Sequence, residues 1–83
     1  KTGGSTFKNP IEQTNTKVWE LIKKSVPLES KFGDAKISNK HCNFLVNSSE
    51  ATFNDMKKLI EFVRKNVRLK TGIKLETEIE IIE

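Results

Sequence analysis

A small α+β domain is the fold class this sequence predicts: a sandwich running loop–α–β–β–α–β, with helices packed on one face of a mostly antiparallel or mixed sheet. Three observations carry the prediction. Apolar residues recur at helical spacing in two stretches, around Val18–Ile22 and from Phe53 to Val67. Leu75, Thr77, Ile79 and Ile81 alternate with Glu76, Glu78, Glu80 and Ile82, the period of a strand with one apolar face. Between the helical stretches lie two short strand-like runs, and such an adjacent pair suits a two-layer α+β sandwich.

Residues 1–16 are polar and rich in Gly, Thr and Asn. They predict a loop, with at most a short strand at Thr6–Lys8. The first helix is expected from about Lys17 to Ser25, with Thr14, Asn15 or Thr16 as its N-cap. Val18, Leu21, Ile22 and Trp19 form its apolar side, and Pro27 stops it. Gly33-Asp34 signals a turn. Ala35–Ser38 and Phe44–Val46 are the strand candidates, the second closed by Asn47-Ser48-Ser49. The long helix is expected from about Phe53 to Leu69. Thr52 and Asp55 have the spacing of a capping box, and Gly72 suits the position just beyond the C-terminal end. The alternating run over residues 75–82 closes the chain as a strand.

With 83 residues the chain makes one domain, residues 1–83. A chain of this length buries only about 60–65% of its unfolded surface, so contacts with something larger would help it. The one methionine is Met56 and the chain opens Lys1-Thr2-Gly3, so a piece of a longer polypeptide is expected. The single cysteine, Cys42, makes no intrachain disulfide, and a reducing cytoplasmic setting is the default. No apolar run approaches the roughly 20 residues of a membrane span, so no membrane partner is expected. The net charge of +4 suits anionic partners without choosing among them.

Several groups invite chemistry, and each has a plainer reading. Gly3-Gly4-Ser5-Thr6 could present backbone N–H groups to an anion. It lacks the Gly-Lys-Ser/Thr ending of a P-loop, however, and an ordinary loop is the default. Pro10 pushes Asn9 into an extended shape, which suits Phe7-Lys8-Asn9-Pro10 to a phosphate or carboxylate contact or simply to a loop. His41-Cys42 suggests a metal or a thiol nucleophile. Adjacent ligands close poorly on one zinc, no second Cys or His is present, and no metal is expected. A packed cysteine beside a hydrogen-bonded histidine is the simpler account. Glu76, Glu78 and Glu80 share one strand face, and carboxylates so placed raise one another's pKa when desolvated. A solvated sheet face is the plainer reading, and nothing local singles out one of them. Lys57, Lys58, Arg64, Lys65, Arg68 and Lys70 make the long helix basic. No RNA-recognition signature, zinc-finger spacing or isolated G-x-x-G loop accompanies them, so nucleic acid is not an expected partner.

Three blocks, in order, resemble the UDP-N-acetylenolpyruvoylglucosamine reductases, the MurB family. Gly3-Gly4-Ser5-Thr6-Phe7-Lys8-Asn9-Pro10 looks like the family's serine-bearing segment. Ile37-Ser38-Asn39-Lys40-His41-Cys42-Asn43-Phe44-Leu45-Val46-Asn47 resembles its "VSxKHxNFxxN" strand pair. Ala51-Thr52, the long helix, Gly72-Ile73 and Leu75-Glu76-Thr77-Glu78-Ile79 resemble its ending. The chain departs from the pattern at Ser25–Ser30, where the family usually has a glycine-rich stretch, at Asp34, which replaces a second glycine, and at Glu80, where an arginine is common.

The resemblance implies that this is the C-terminal, substrate-binding domain of an oxidoreductase of peptidoglycan synthesis. NADPH reduces a bound FAD, and the enolpyruvyl group of UDP-N-acetylglucosamine enolpyruvate is then reduced to give UDP-N-acetylmuramate. By position the proton-donor serine is Ser5 and the catalytic glutamate is Glu78. Asn9 and His41 fall where the family contacts its substrate. FAD and NADPH belong to the complete enzyme, and the FAD-binding domain is the expected partner of this chain, which alone should bind no cofactor and be inactive. Two rival classes stand beside this: a basic α+β nucleic-acid-binding module, and a structural domain without site residues.

Overall fold

In a computed structural model the described residues are 6–78. Helix α1 spans Val18–Ser25. Strands β1 (Lys31–Phe32), β2 (Ala35–Ile37) and β3 (Leu45–Asn47) follow, and helix α2 spans Phe53–Thr71. The strands form one antiparallel sheet in the order β1-β2-β3, with Phe32 opposite Ala35 and Ile37 opposite Leu45. Helix α2 lies over β1 and β2, and α1 packs against α2.

β1 and β2 are joined by a two-residue hairpin at Gly33-Asp34. Gly33 has φ +58°, and no other residue type in the described chain adopts positive φ. A positive φ at the first turn position alone is the pattern of a type II′ turn, whose twist matches the flanking strands. A Cβ on Gly33 would run into the Asp55 carboxylate at the start of α2, so the hairpin sits hard against that helix end. The turn was legible in the sequence. β1 was not, because two residues are too few to show a period.

The long helix follows its sequence signals. Thr52 Oγ1 accepts from the Asp55 N–H at 3.0 Å, and the Asp55 carboxylate accepts from the Thr52 N–H at 3.1 Å. This reciprocal pair satisfies two amides that the helix itself cannot. At the far end Gly72 adopts φ +79° and its N–H reaches the Arg68 carbonyl at 2.8 Å. The helix runs on to Thr71, past the expected end at Leu69. Leu59, Ile60, Val63 and Val67 are buried, giving the stripe that faces β2 and α1.

The expected caps of α1 were Thr14, Asn15 or Thr16, and the structure corrects this. Lys17 is the N-cap, and the first helical amide, Val18 N–H, donates at 3.0 Å to the side chain of Asn9. Thr14 Oγ1 instead accepts from the Thr16 N–H at 3.1 Å, a local turn that competes with capping. Val18, Leu21 and Ile22 are buried, while Trp19 is 43% exposed.

The closing strand is present in the described residues as a single antiparallel bridge, Phe7 opposite Thr77. Residues 79–82 of that expected strand lie outside them. The bridge also accounts for the short strand expected at Thr6–Lys8. Phe7 and Leu75 are buried, so both chain ends contribute to the core that Ile22, Ile37 and Leu59 also fill.

Candidate functional site

The three motif segments meet along the backbone of Thr6–Lys8. On one side the Lys8 N–H donates to the Glu76 carbonyl and the Glu78 N–H donates to the Thr6 carbonyl, both at 2.8 Å. On the other side the Thr6 N–H donates to the Asn43 carbonyl at 2.8 Å. The Asn43 side chain takes both polar groups of Phe7: Oδ1 accepts its N–H at 3.0 Å, and Nδ2 donates to its carbonyl at 3.1 Å. A primary amide offers the same donor–acceptor pair as a strand backbone, so Asn43 replaces a neighbouring strand where none runs among the described residues. Asn43 is 6% exposed, and Thr6 and Phe7 are 1% exposed. In such burial every backbone group needs a partner.

Of the expected site residues, Asn9, His41 and Glu78 are described, and they lie next to this seam. Ser5 lies outside the described residues, one residue before Thr6. Glu78 is exposed on the partnering segment and is tied by its N–H to the Thr6 carbonyl. Glu76 is also exposed while Leu75 is buried, so the alternation of apolar and acidic faces holds over Leu75–Glu78. Asn9 is exposed and lines a cleft of about 230 Å³ with Lys8, Gln13, Lys74 and Glu76. Its Oδ1 serves the α1 amide. Nδ2 has no partner among the described residues, so this side chain caps the helix and leaves one donor unused.

His41 lies on the Asn43 side of the seam, in a different cleft of about 340 Å³ with Trp19, Lys23, Leu28 and Cys42. Its Nδ1 accepts from the Asn43 N–H at 3.3 Å, and its ring centroid is 4.8 Å from that of Phe44. The bond places the ring proton on Nε2, which makes His41 a hydrogen-bond donor toward solvent or an anion. Through Asn43 and Thr6, His41 is three hydrogen bonds away from Glu78. The clefts of Asn9 and His41 share no lining residue.

Cys42 is buried, and its thiol donates to the Trp19 carbonyl at 3.1 Å. Burial pushes the thiol pKa up, against smaller lowering effects from its backbone hydrogen bond and from Lys23. A thiol kept protonated is a poor nucleophile, and Cys42 is a packing residue, as its plainer reading held. Among the described residues no three His, Cys, Asp or Glu side chains gather as a metal site. No described helix is long and apolar enough to cross a membrane.

Among the described residues no parallel strand turns through glycines into a helix N-terminus, the arrangement in which a Rossmann-type site holds a dinucleotide pyrophosphate. Here the sheet is antiparallel, and the N-terminus of α2 is already occupied by the Asp55 carboxylate, which repels a phosphate.

Two residues of this arrangement carry no mark of their own in the sequence. Asn43 stands inside a motif block with nothing to distinguish it. Gln13 stands outside every block, although its side chain accepts from the Lys74 N–H at 3.0 Å and donates to the Lys74 carbonyl at 2.8 Å. Both amides clamp a remote backbone, and no local pattern marks such a partner.

Fold and site together define a small two-layer α+β domain that gathers its motif segments at one seam formed by both chain ends. The family described as "UDP-N-acetylenolpyruvoylglucosamine reductase, C-terminal domain" matches residues 1–82. The chain is 68% identical over 83 residues to the UDP-N-acetylenolpyruvoylglucosamine reductase of Pelagibacter ubique, covering 100% of this chain and 28% of that protein. It is 48% identical over 82 residues to the reductase of Orientia tsutsugamushi, covering 99% of this chain and 26% of that protein. The chain belongs to this family of C-terminal domains, and it spans about a quarter of the length of the curated relatives it matches.

Proposed function

We propose that the chain is the substrate-facing part of a cytoplasmic reductase that converts UDP-N-acetylglucosamine enolpyruvate to UDP-N-acetylmuramate for peptidoglycan. FAD and NADPH are assigned to the rest of the polypeptide, which supplies the hydride and is this domain's partner. The observation that carries the reading is the seam. Segments far apart in sequence, two of which carry His41 and Glu78 while the third leads into Asn9, are hydrogen-bonded side by side at Thr6–Lys8, 41–43 and 76–78.

The roles follow from the chemistry of each side chain. Reduction of the enolpyruvyl double bond adds hydride to one carbon and a proton to its neighbour. Ser5 is the proton donor. A serine hydroxyl is a weak acid, so it protonates only a strong base, and a carbanion beside a carboxylate is one. The alkoxide is reprotonated from solvent. Glu78 is assigned to the substrate carboxylate, where charge builds as the double bond is reduced. Asn9 offers its Nδ2 donor and His41 its Nε2 donor to oxygens of the nucleotide sugar.

Ser5→Ala in the complete enzyme tests the assignment. Hydride transfer from NADPH to the flavin should be nearly unchanged. Reoxidation of the flavin by substrate should slow about 10²–10⁴-fold, the usual contribution of a positioned acid. Stopped-flow flavin absorbance separates the two steps. Equal slowing of both would mean that Ser5 supports the fold or the flavin and is not the proton donor.

A further inference from the structure

We infer that Asn43 is a positioning residue of the proposed site: its buried side chain fixes the backbone of the segment that begins just after Ser5 and ends on Asn9. The inference rests on the reading of that segment as part of a reductase site. It goes beyond that reading by naming what holds the segment in place.

Three hydrogen bonds converge on Thr6 and Phe7 from this one residue. The Asn43 carbonyl accepts the Thr6 N–H, Oδ1 accepts the Phe7 N–H, and Nδ2 donates to the Phe7 carbonyl, all within 2.8–3.1 Å. No other partner of the Phe7 N–H or carbonyl is present among the described residues. The opposite side of the segment is held by only two bonds, to Glu76 and Glu78, and that side belongs to the chain end that carries Glu78 itself. Asn43 in turn is fixed from behind, its N–H donating to His41 Nδ1. The segment therefore takes its register from Asn43, and Glu78 and His41 take theirs from the same seam. Catalytic groups must be held to within a fraction of an ångström, and a misplacement of about 1 Å costs about 10²-fold in rate.

The polarity of the clamp supplies the test. Asn43→Asp keeps the shape and the acceptor for the Phe7 N–H, but an ionised carboxylate sets an oxygen against the Phe7 carbonyl where the amide had donated. Burial beside a carbonyl raises the carboxyl pKa, so on acidification the group becomes neutral and its O–H restores the missing donor. In the complete protein at neutral pH, Asn43→Asp should slow flavin reoxidation by the enolpyruvyl nucleotide sugar about 10²-fold. It should leave NADPH-dependent flavin reduction unchanged. The deficit relative to wild type, measured at each pH, should shrink as pH falls toward about 5. Asn43→Gln, which carries both groups one methylene further out, is the second variant. It should slow the same step without recovery at low pH.

Hydrogen exchange of the Thr6–Lys8 amides, read by mass spectrometry on the same proteins, is the independent arm. Exchange should be faster than wild type in Asn43→Asp at neutral pH and return toward wild type on acidification. Wild-type exchange and wild-type rates in Asn43→Asp would overturn the inference. So would equal slowing of both half-reactions, or a substrate-step defect indifferent to pH. If the wild-type protein fails to reoxidise its flavin with that nucleotide sugar, the proposed function fails instead, and the exchange arm alone decides whether Asn43 fixes the segment.

Discussion

Helix α2 and the Thr6–Asn9 segment are built on opposite principles. α2 begins and ends on its own neighbours: Thr52 and Asp55 cap one end, and Gly72 reaches back to Arg68 at the other. Thr6–Asn9 satisfies almost nothing locally. Its polar groups are answered by Asn43, Glu76, Glu78 and, through Asn9, by Val18. The helix is a self-capped platform, and the segment beside the proposed chemistry is a strand made by borrowing. Sites need groups from distant parts of a chain held side by side, and backbone pairing between remote segments does this without committing a whole sheet to it.

The largest expected effect tests whether α2 is a platform because of packing or because of its own caps. Leu59 is fully buried on its inner face. Leu59→Ala should destabilise the domain by about 2–5 kcal/mol, the loss of transfer energy plus a cavity. Urea denaturation of the chain measures it. A loss below about 1 kcal/mol would mean that local signals suffice and that the contrast with Thr6–Asn9 is one of degree.

Thr52→Ala should cost about 1 kcal/mol, because the Asp55 N–H loses its acceptor while the helix stripe stays buried. Circular dichroism with urea should show a lower midpoint and an unchanged slope. An unchanged midpoint would show that solvent caps this end as well as Thr52 does.

The smallest effect sharpens the other half of the comparison. Gln13 clamps Lys74 from an exposed position, so its bonds compete with water. Gln13→Ala should change global stability by no more than about 0.5 kcal/mol. It should nevertheless speed hydrogen exchange at Lys74, whose N–H it holds. A global loss comparable to that of Leu59→Ala would show that the borrowed contacts carry the fold itself.

Much of the fold was legible because its signals are local. The helical period of Phe53–Val67, the Thr52/Asp55 spacing, Gly33-Asp34 and Gly72 each state a short-range requirement of the backbone, and each was met. The α1 cap is not legible locally because the residue that serves it, Asn9, lies nine residues before the amide it accepts from. β1 escaped because its pairing with β2, and not any pattern of its own, makes it a strand.

The sequence by itself determined the α+β class, the two helices, the hairpin turn and, through its ordered motif blocks, the family. The tertiary structure alone decided that those blocks meet, that Asn43 and Gln13 act as substitute strands, and that Asn9 caps a helix while lining a cleft. The physical reason is range. Propensity, capping and turn geometry act over a few residues and leave a readable pattern. A side-chain amide 36 positions away from the backbone it clamps leaves none, since its partner is defined only once the core has closed around Phe7.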